Sequence, residues 1–252
     1  MKELKTVARE WSALNIKRDV SHAIFLIRRE EVSPQHPEYL QLYTIEPITP
    51  HTLQTFAYLL KEAEQEQRLD IYESFAQVPY MRPLAGLAYE MIGHRRFQSE
   101  VKLTLIPMAV EQNPRRKNTV WQSQIPHAHE LVGTIAFNFT PRTQWPGPDV
   151  VNPFTYYMPE SSNQVAFDSF VVVDRVLYMF KFMIAPKHAI RAGIMDFLSQ
   201  QSLRTTWEEL RFVFIIPPEC KVECAQASDN KLEGFWNNVK LYSAVFNPKK
   251  EE

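Results

Sequence analysis

Asp168 and Lys181 form a candidate catalytic pair in this sequence, because one is acidic, the other is basic, and their spacing can place them side by side. Two apolar runs, 165–173 and 176–184, are joined at Asp174 and Arg175 and predict a buried β-hairpin. With the turn at those two residues, Asp168 lies directly across from Lys181, and both side chains point to the same face. Because an unpaired buried carboxylate is costly, Asp168 needs a cation, a metal ion or hydrogen-bond donors beside it.

An acid and a lysine side by side on adjacent strands can carry out phosphodiester hydrolysis. The carboxylate would hold Mg²⁺ or Mn²⁺, which neutralises the phosphate and activates water, and the ammonium would position that water and stabilise developing charge. The same two residues can also form a buried ion pair with no catalytic role, because structural ion pairs place opposite charges together in the same way. The sequence leaves both interpretations open.

The pattern of apolar residues around this pair predicts an α/β protein with a central mixed sheet flanked by helices. Short, continuous apolar runs are typical of strands that are buried on both faces, and a 3.6-residue period is typical of the covering helices. A proline-rich segment, 141–159, predicts an irregular connector, and 111–130 predicts a polar loop. The remaining predicted strands are 23–28, 39–45, 101–108, 131–139, 210–216 and 239–246, and the predicted helices are 50–75, 83–97 and 188–200.

Composition and charge limit the classes of function. The chain has 252 residues, of which 45% are hydrophobic and 23% charged, as in globular proteins. Its formal net charge is −1, so any nucleic-acid binding must come from local basic clusters rather than from bulk charge. The candidate clusters are Arg95 with Arg96, residues 115–117, and Lys187 and His188 with Arg191. A solvated surface is the simpler interpretation of each cluster, and a cap on the following helix is the simpler role for His188.

Other motifs carry weaker signals. Cys220 and Cys224 would close only a short loop and have no further zinc ligands at suitable spacing, which predicts reduced thiols. The His127 and His129 pair with Glu130 invites a metal site but has no identified third partner. The first 21 residues lack an apolar segment typical of a signal peptide, and no run is long enough to cross a membrane. These features favour an intracellular protein, nuclear or cytoplasmic, and leave export to another cell open.

Several stretches together resemble a known family. The run FDSFVVVDRVLYMFKFMIAPKH at 167–188, the GIMDFL motif and the WEELRFVFIIPP segment at 207–218 are similar to the C-terminal part of fungal Crinkler-type and retrotransposon-hot-spot-type proteins. Those proteins resemble P-loop ATPases fused to a PD-(D/E)xK nuclease domain. Upstream, SHAIFLIRRE and RPLAGLAYEMIGHRRF look like the junction between the two domains.

The resemblance implies a fold and an activity. Residues 81–252 would form a nuclease-like domain with a restriction-endonuclease-like core, and residues 1–80 would resemble the tail of a P-loop ATPase domain. Glu90 and Asp168 would bind the metal ion, and Lys181 would be the catalytic lysine. By its position alone, Glu90 could instead make an ordinary surface pair four residues before His94.

The sequence departs from the family pattern at two places. An acid or glutamine is required two residues before the lysine, and Met179 stands there; a register shifted by two residues places Met183 at the lysine position. One catalytic group is missing in either register. The chain also has no G-x-x-x-x-G-K-[ST] motif, so a P-loop ATPase domain would be a separate partner. Three functions stay open: a magnesium-dependent DNA nuclease, an inactive nuclease fold that binds nucleic acid or protein, and a fragment of a mobile-element-associated gene.

Overall fold

The chain divides into two compact units, Met1–Ile92 and Gly93–Glu252. We describe each unit by itself, from a computed structural model. The residues that the structure describes are 25–29, 43–47, 60, 63–77, 82–97, 101–111, 120–122, 134–137, 140–145, 151–159, 166–191, 193–199, 207–218, 220–225 and 232–249. Among these residues, no helix is both long and apolar enough to cross a membrane.

The first unit contains a strand pair and helices. Strands β1 (Phe25–Arg29) and β2 (Tyr43–Pro47) pair antiparallel, close to the two predicted strands. Helix α1 (Gln65–Ala76) buries Ile71, Tyr72 and Phe75, and helix α2 (Arg82–Arg96) follows it as predicted.

The prediction of one continuous helix over 50–75 is wrong, because residues 63 and 64 are not helical and α1 begins at Gln65. The carbonyl of Leu60 accepts the Ala63 backbone N–H at 3.3 Å and the Arg68 Nε–H at 2.6 Å. An i to i+3 bond such as that between Leu60 and Ala63 is typical of the tightened last turn of a helix.

The second unit is built on a mixed sheet of seven strands among the described residues, in the order β4-β15-β13-β11-β10-β9-β8. Strands β11, β13 and β15 run parallel to one another, and β10 runs antiparallel to β11. The strands are β4 (Ile106–Pro107), β8 (Thr140–Trp145), β9 (Thr155–Pro159), β10 (Ser169–Val173), β11 (Val176–Phe182), β13 (Glu209–Ile216) and β15 (Val239–Val245).

One face of this sheet carries most of the core. Helices α3 (Gly193–Leu198) and α4 (Glu233–Asn238) bury Ile194, Phe197 and Phe235 in one cluster with the sheet residues Phe170, Met179 and Phe212. A smaller sheet, in the order β12-β14-β6-β5, packs on the same cluster through Cys224 and Trp121. Its strands are β5 (Ala109–Glu111), β6 (Val120–Gln122), β12 (Lys187–Ala189) and β14 (Glu223–Ala225). A further pair joins β3 (Val101–Thr104) to β7 (Thr134–Phe137).

The opposite face receives the end of α2. Phe97 contacts Phe180 and Phe182 edge to face, with ring centroids 5.5 and 5.2 Å apart. Gly93 allows this close approach, because a Cβ at that position would lie 2.1 Å from Cε1 of Phe182. Helices thus cover both faces of the mixed sheet, and the predicted α/β class with a central mixed sheet flanked by helices is confirmed.

Local patterns misled the prediction where the strands are short. Segment 141–159, predicted as a connector, contains most of β8 and all of β9; its prolines are tolerated because Pro141 lies in an edge strand and Pro159 ends its strand. The predicted helix 188–200 is β12 followed by the shorter α3. Strands β6 and β14 and helix α4 were not predicted, since three to six residues carry too little periodicity to detect.

Candidate functional site

The β10–β11 hairpin brings Asp168 and Lys181 together as the sequence predicts. Val173 pairs with Val176, which leaves Asp174 and Arg175 as a two-residue loop with φ of 49° and 64°. Positive φ at both positions is what a type I′ turn requires, although neither residue is glycine or asparagine. This turn sets the register of the hairpin, and Lys181 Nζ consequently donates a short, charge-assisted hydrogen bond to Asp168 Oδ1.

The Asp168 carboxylate has hydrogen bonds at both oxygens. Oδ1 accepts the bond from Lys181, and Oδ2 accepts the backbone N–H of Phe182 at 2.7 Å. The side chain of Asp168 is 4% exposed and that of Lys181 is 17% exposed, so the pair is largely removed from water. The buried charge is therefore compensated by an ammonium and a peptide donor, which meets the requirement inferred from the sequence.

Met179 lies in the core rather than at the site. It is fully buried opposite Phe170, and it belongs to the same apolar cluster as Phe212. Met183 is also buried in that cluster, and its backbone N–H bonds the Ile215 carbonyl at 2.9 Å. Both methionines therefore lie inside the packed core, where an acid or a lysine would not be easily solvated.

His188 lies on β12, so the prediction that it caps the following helix is wrong. Its ring contacts Phe214 with centroids 5.6 Å apart, and Phe214 is the register partner of Lys181 on β13. Burial lowers the pKa of His188 to about 4, with the positive charges of Lys181 and Arg191 acting in the same direction. The imidazole is therefore neutral at physiological pH. Its Nε2 is buried without a hydrogen-bond partner among the described residues.

The other candidate cations near this end of the sheet are exposed. Lys187 precedes His188 on β12 and is the register partner of Glu223 on β14. Arg191 follows β12, and its carbonyl accepts the Ile194 backbone N–H at the start of α3 at 3.2 Å. Successive residues of a strand point to opposite faces, so the side chains of Lys187 and His188 lie on different faces of the small sheet.

The remaining predicted site residues lie on α2 or outside the described residues. Glu90 is partly buried and belongs to the first unit, so its role as a metal ligand stays a prediction. His94 is buried, and its Nδ1 forms a hydrogen bond with the Tyr156 hydroxyl at 2.7 Å. Arg95 is exposed and Arg96 partly buried. Residues 115–117, His127, His129 and Glu130 lie outside the described residues.

A divalent metal ion fits the described part of this site poorly. Mg²⁺ is held by one or two carboxylates with waters and substrate phosphates. Asp168 offers one carboxylate, but its charge is matched by Lys181 and both of its oxygens already accept hydrogen bonds. Within the described ranges, no three His, Cys, Asp or Glu side chains are grouped so as to hold a metal ion. Cys220 and Cys224 are free thiols, and burial raises the pKa of Cys224 to about 12.

A second charged cluster, which the sequence did not reveal, lies at the amino ends of the parallel strands. Glu209 accepts hydrogen bonds from Arg211 at 2.5 Å and from Lys240 at 2.8 Å. The Arg211 guanidinium lies 5.4 Å from the ring centroid of Tyr178 and 5.5 Å from that of Tyr242. Glu209 binds both cations, which leaves one net positive charge, and the hydrogen bonds from Lys240 and Arg211 hold the pKa of Glu209 below its usual value. The cluster needs the sheet order, because its members come from three strands.

Comparisons with known proteins do not supply a relative. No protein-family model matches the chain. A search of curated proteins and a search of solved structures find no match either.

Proposed function

We propose that the unit Gly93–Glu252 is a nuclease-like module that binds nucleic acid, in the first instance DNA, without cleaving it. In this proposal the mixed sheet is a restriction-endonuclease-like core, and the end of the sheet that carries Asp168 and Lys181 faces the phosphate backbone. Support for the core comes from the placement of an acid and a lysine on neighbouring strands of a mixed sheet that has helices on both faces.

The observation that carries the proposal is the set of hydrogen bonds made by Asp168. Its carboxylate is held by Lys181 and by the Phe182 N–H, while position 179, where the family pattern requires an acid, is packed in the core. Such a site would keep the acid and the lysine of the family pattern and lack one of its metal-binding charges. Exposed Lys187 and Arg191 beside it supply phosphate contacts that a chain of net charge −1 needs locally.

Position in the sheet also favours this end as the binding surface. Lys181 is the next-to-last residue of β11, at the carboxyl ends of the three parallel strands. In open α/β sheets, ligands bind outside the carboxyl ends of the strands. The charged cluster of Glu209, Arg211 and Lys240 lies at the other end, where both cations are hydrogen-bonded to the Glu209 carboxylate.

A second candidate function is cleavage of DNA with Mg²⁺ or Mn²⁺, which the placement of an acid and a lysine on neighbouring strands favours, although the metal ion would have to displace Lys181 from Asp168. In that case Asp168 would be the metal ligand from this unit, and Lys181 would act on the phosphate. The first unit would then be the remnant of an ATPase domain, and a separate P-loop ATPase would be a partner.

One experiment separates the two candidates. The chain is titrated into fluorescently labelled oligonucleotide in EDTA and then in Mg²⁺ or Mn²⁺, and supercoiled plasmid is incubated under the same conditions. We expect salt-dependent binding that does not need the metal ion, with no nicking. Lys187→Ala with Arg191→Ala should weaken binding and lower the slope of log affinity against log salt by about one per lost phosphate contact. Arg175→Ala, an exposed arginine at the hairpin turn, serves as the matched control and should bind as the wild type does.

The outcomes are distinct. Nicking that requires Mg²⁺ and disappears in Asp168→Asn would establish cleavage and overturn the proposal of binding alone. Absence of oligonucleotide binding at low salt would overturn both candidates. Equal weakening by Arg175→Ala and by the Lys187 and Arg191 changes would show that the binding surface lies elsewhere.

A further inference from the structure

The imidazole of His188 is placed in a way that packing alone does not explain. Its ring lies against Phe214 on the side of the sheet that carries Lys181, and the charge of Arg191 acts on it as well. Nε2 is buried and has no hydrogen-bond partner among the described residues. A buried polar nitrogen left unsatisfied is costly, and a bound ion that the structure does not contain is one explanation for such a group.

The groups around His188 point to the charge of that ion. The positive charges of Lys181, on β11, and of Arg191, after β12, both act on the ring. The thiol of Cys224, the register partner of His188 on β14, is neutral because burial raises its pKa. The acid bonded to Lys181 is Asp168, and Glu223 is the register partner of Lys187, on the other side of the small sheet from His188. An anion is therefore the ligand that would satisfy both cations and the imidazole together.

We propose that Lys181, His188 and Arg191 form a pocket for a phosphomonoester group, such as the 5′-phosphate end of a nucleic acid. A phosphomonoester has three free oxygens and close to two negative charges, which match two cations and one imidazole N–H. An internal phosphodiester has two free oxygens and one charge, and its chain continues on both sides, which suits an exposed surface better than this partly buried position. The same chemistry is present in free phosphorylated metabolites.

This inference rests on the proposed function in one respect only, namely that the phosphate is carried by a nucleic acid. Binding requires the long side chain of Arg191 to rearrange around the ion, whereas the Lys181 ammonium has three N–H donors and can bind the ion while keeping its bond to Asp168. Protonation of His188 then becomes favourable, because the anion replaces the repulsion of two cations by attraction.

The test compares two single-stranded oligonucleotides that differ only in a 5′-phosphate or a 5′-hydroxyl, both labelled at the 3′ end. We expect the phosphorylated strand to bind about tenfold more tightly, the ratio that one or two additional charge-assisted hydrogen bonds would produce. His188→Leu and Arg191→Gln should abolish this ratio, and His188→Gln should keep part of it because the amide can replace Nε2. Lys187→Ala is the matched control: it should weaken both strands alike and leave the ratio unchanged.

A second measurement follows His188 directly by NMR in the presence of inorganic phosphate and of a nucleoside monophosphate. We expect its pKa to rise from about 4 on addition of either probe. Equal affinity for the two oligonucleotides, or a ratio unaffected by both the His188 and Arg191 changes, would overturn the pocket. Binding of inorganic phosphate and nucleoside monophosphate through His188, with no oligonucleotide binding, would retain the pocket for a phosphorylated small molecule and overturn the proposed function instead.

Discussion

Lys181 lies directly opposite Asp168 across the β10–β11 hairpin, and its ammonium binds one carboxylate oxygen while the Phe182 N–H binds the other. The hydrogen-bonding capacity and the charge of the carboxylate are thus already matched by a cation and a peptide donor. This arrangement also connects Asp168, which immediately precedes β10, to Lys181 and Phe182, the last two residues of β11. The pair therefore holds together the open end of the hairpin and also lies at the centre of the candidate site.

Removal of one partner of this pair should destabilise the protein strongly. Lys181→Met leaves the 4% exposed Asp168 carboxylate without its cation, and the loss of unfolding free energy should be about 3–5 kcal/mol. Urea denaturation measures it. The double variant Asp168→Asn with Lys181→Met should recover a large part of the loss, because it leaves no buried charge uncompensated.

The control for that comparison is the ion pair between Arg175 and Glu208, whose side chains are each 67% exposed. Arg175→Ala should cost less than about 1 kcal/mol, since solvent screens exposed pairs. If both ion pairs prove equally weak, the Asp168 and Lys181 pair is not buried in solution as the structure has it.

Gly93 should tolerate no side chain. Gly93→Ala would place a Cβ 2.1 Å from a ring carbon of Phe182, so the helix or the ring must shift, at a cost of about 1–3 kcal/mol. Thermal denaturation followed by circular dichroism measures the change. Gly193→Ala is the matched control, because an added Cβ meets nothing within 4 Å there, and its melting temperature should stay the same or rise. Phe182→Leu in the Gly93→Ala background should restore part of the loss.

Stability should fall on acidification through His188. Its folded-state pKa is about 4, below the ordinary 6.5, so the imidazole is neutral in both states above pH 6.5 and contributes nothing there. As the pH falls from 6.5 towards 4, the unfolded chain binds a proton that the folded chain does not, and up to about 3 kcal/mol of stability is lost. Urea denaturation across this range should show a steeper decline for the wild type than for His188→Gln. Parallel curves would contradict the assigned burial.

The hairpin turn should prefer glycine to a β-branched residue. Arg175 has φ of 64°, where β-branched side chains are strained. Arg175→Gly should therefore be more stable than Arg175→Val by about 1 kcal/mol, and both variants lose the same exposed ion pair. Chemical denaturation of the two variants side by side decides it. A valine variant as stable as the glycine variant would mean that the turn is not of type I′.

Prediction of the fold from the sequence succeeded where apolar runs are long, and it failed where the elements are short. The hairpin, β13 and β15 follow from continuous apolar segments, because such segments can be stable only inside a sheet covered on both faces. Strands β6, β9, β12 and β14 did not follow, since three to five residues, some with prolines at their ends, take their conformation from the neighbours with which they pair.

The candidate site divides in the same way. Hairpin register is a local property, so the contact between Asp168 and Lys181 could be derived from the two residues at the turn. The burial of Met179 and the placement of His188 beside Phe214 could not, because both depend on β13 and on a second sheet that are distant in sequence.

The order of residues along the chain was enough to predict an α/β protein in which a buried acid faces a lysine, since alternation along two joined strands settles which side chains share a face. Three features depend instead on how the elements pack: both oxygens of Asp168 accept hydrogen bonds, Lys187 and His188 lie on different sides of a small sheet, and a neutral imidazole lies near enough to Lys181 to be affected by its charge. The physical reason is that burial, and with it the charge state of a titratable group, is set by every element packed around it and not by its neighbours in the chain.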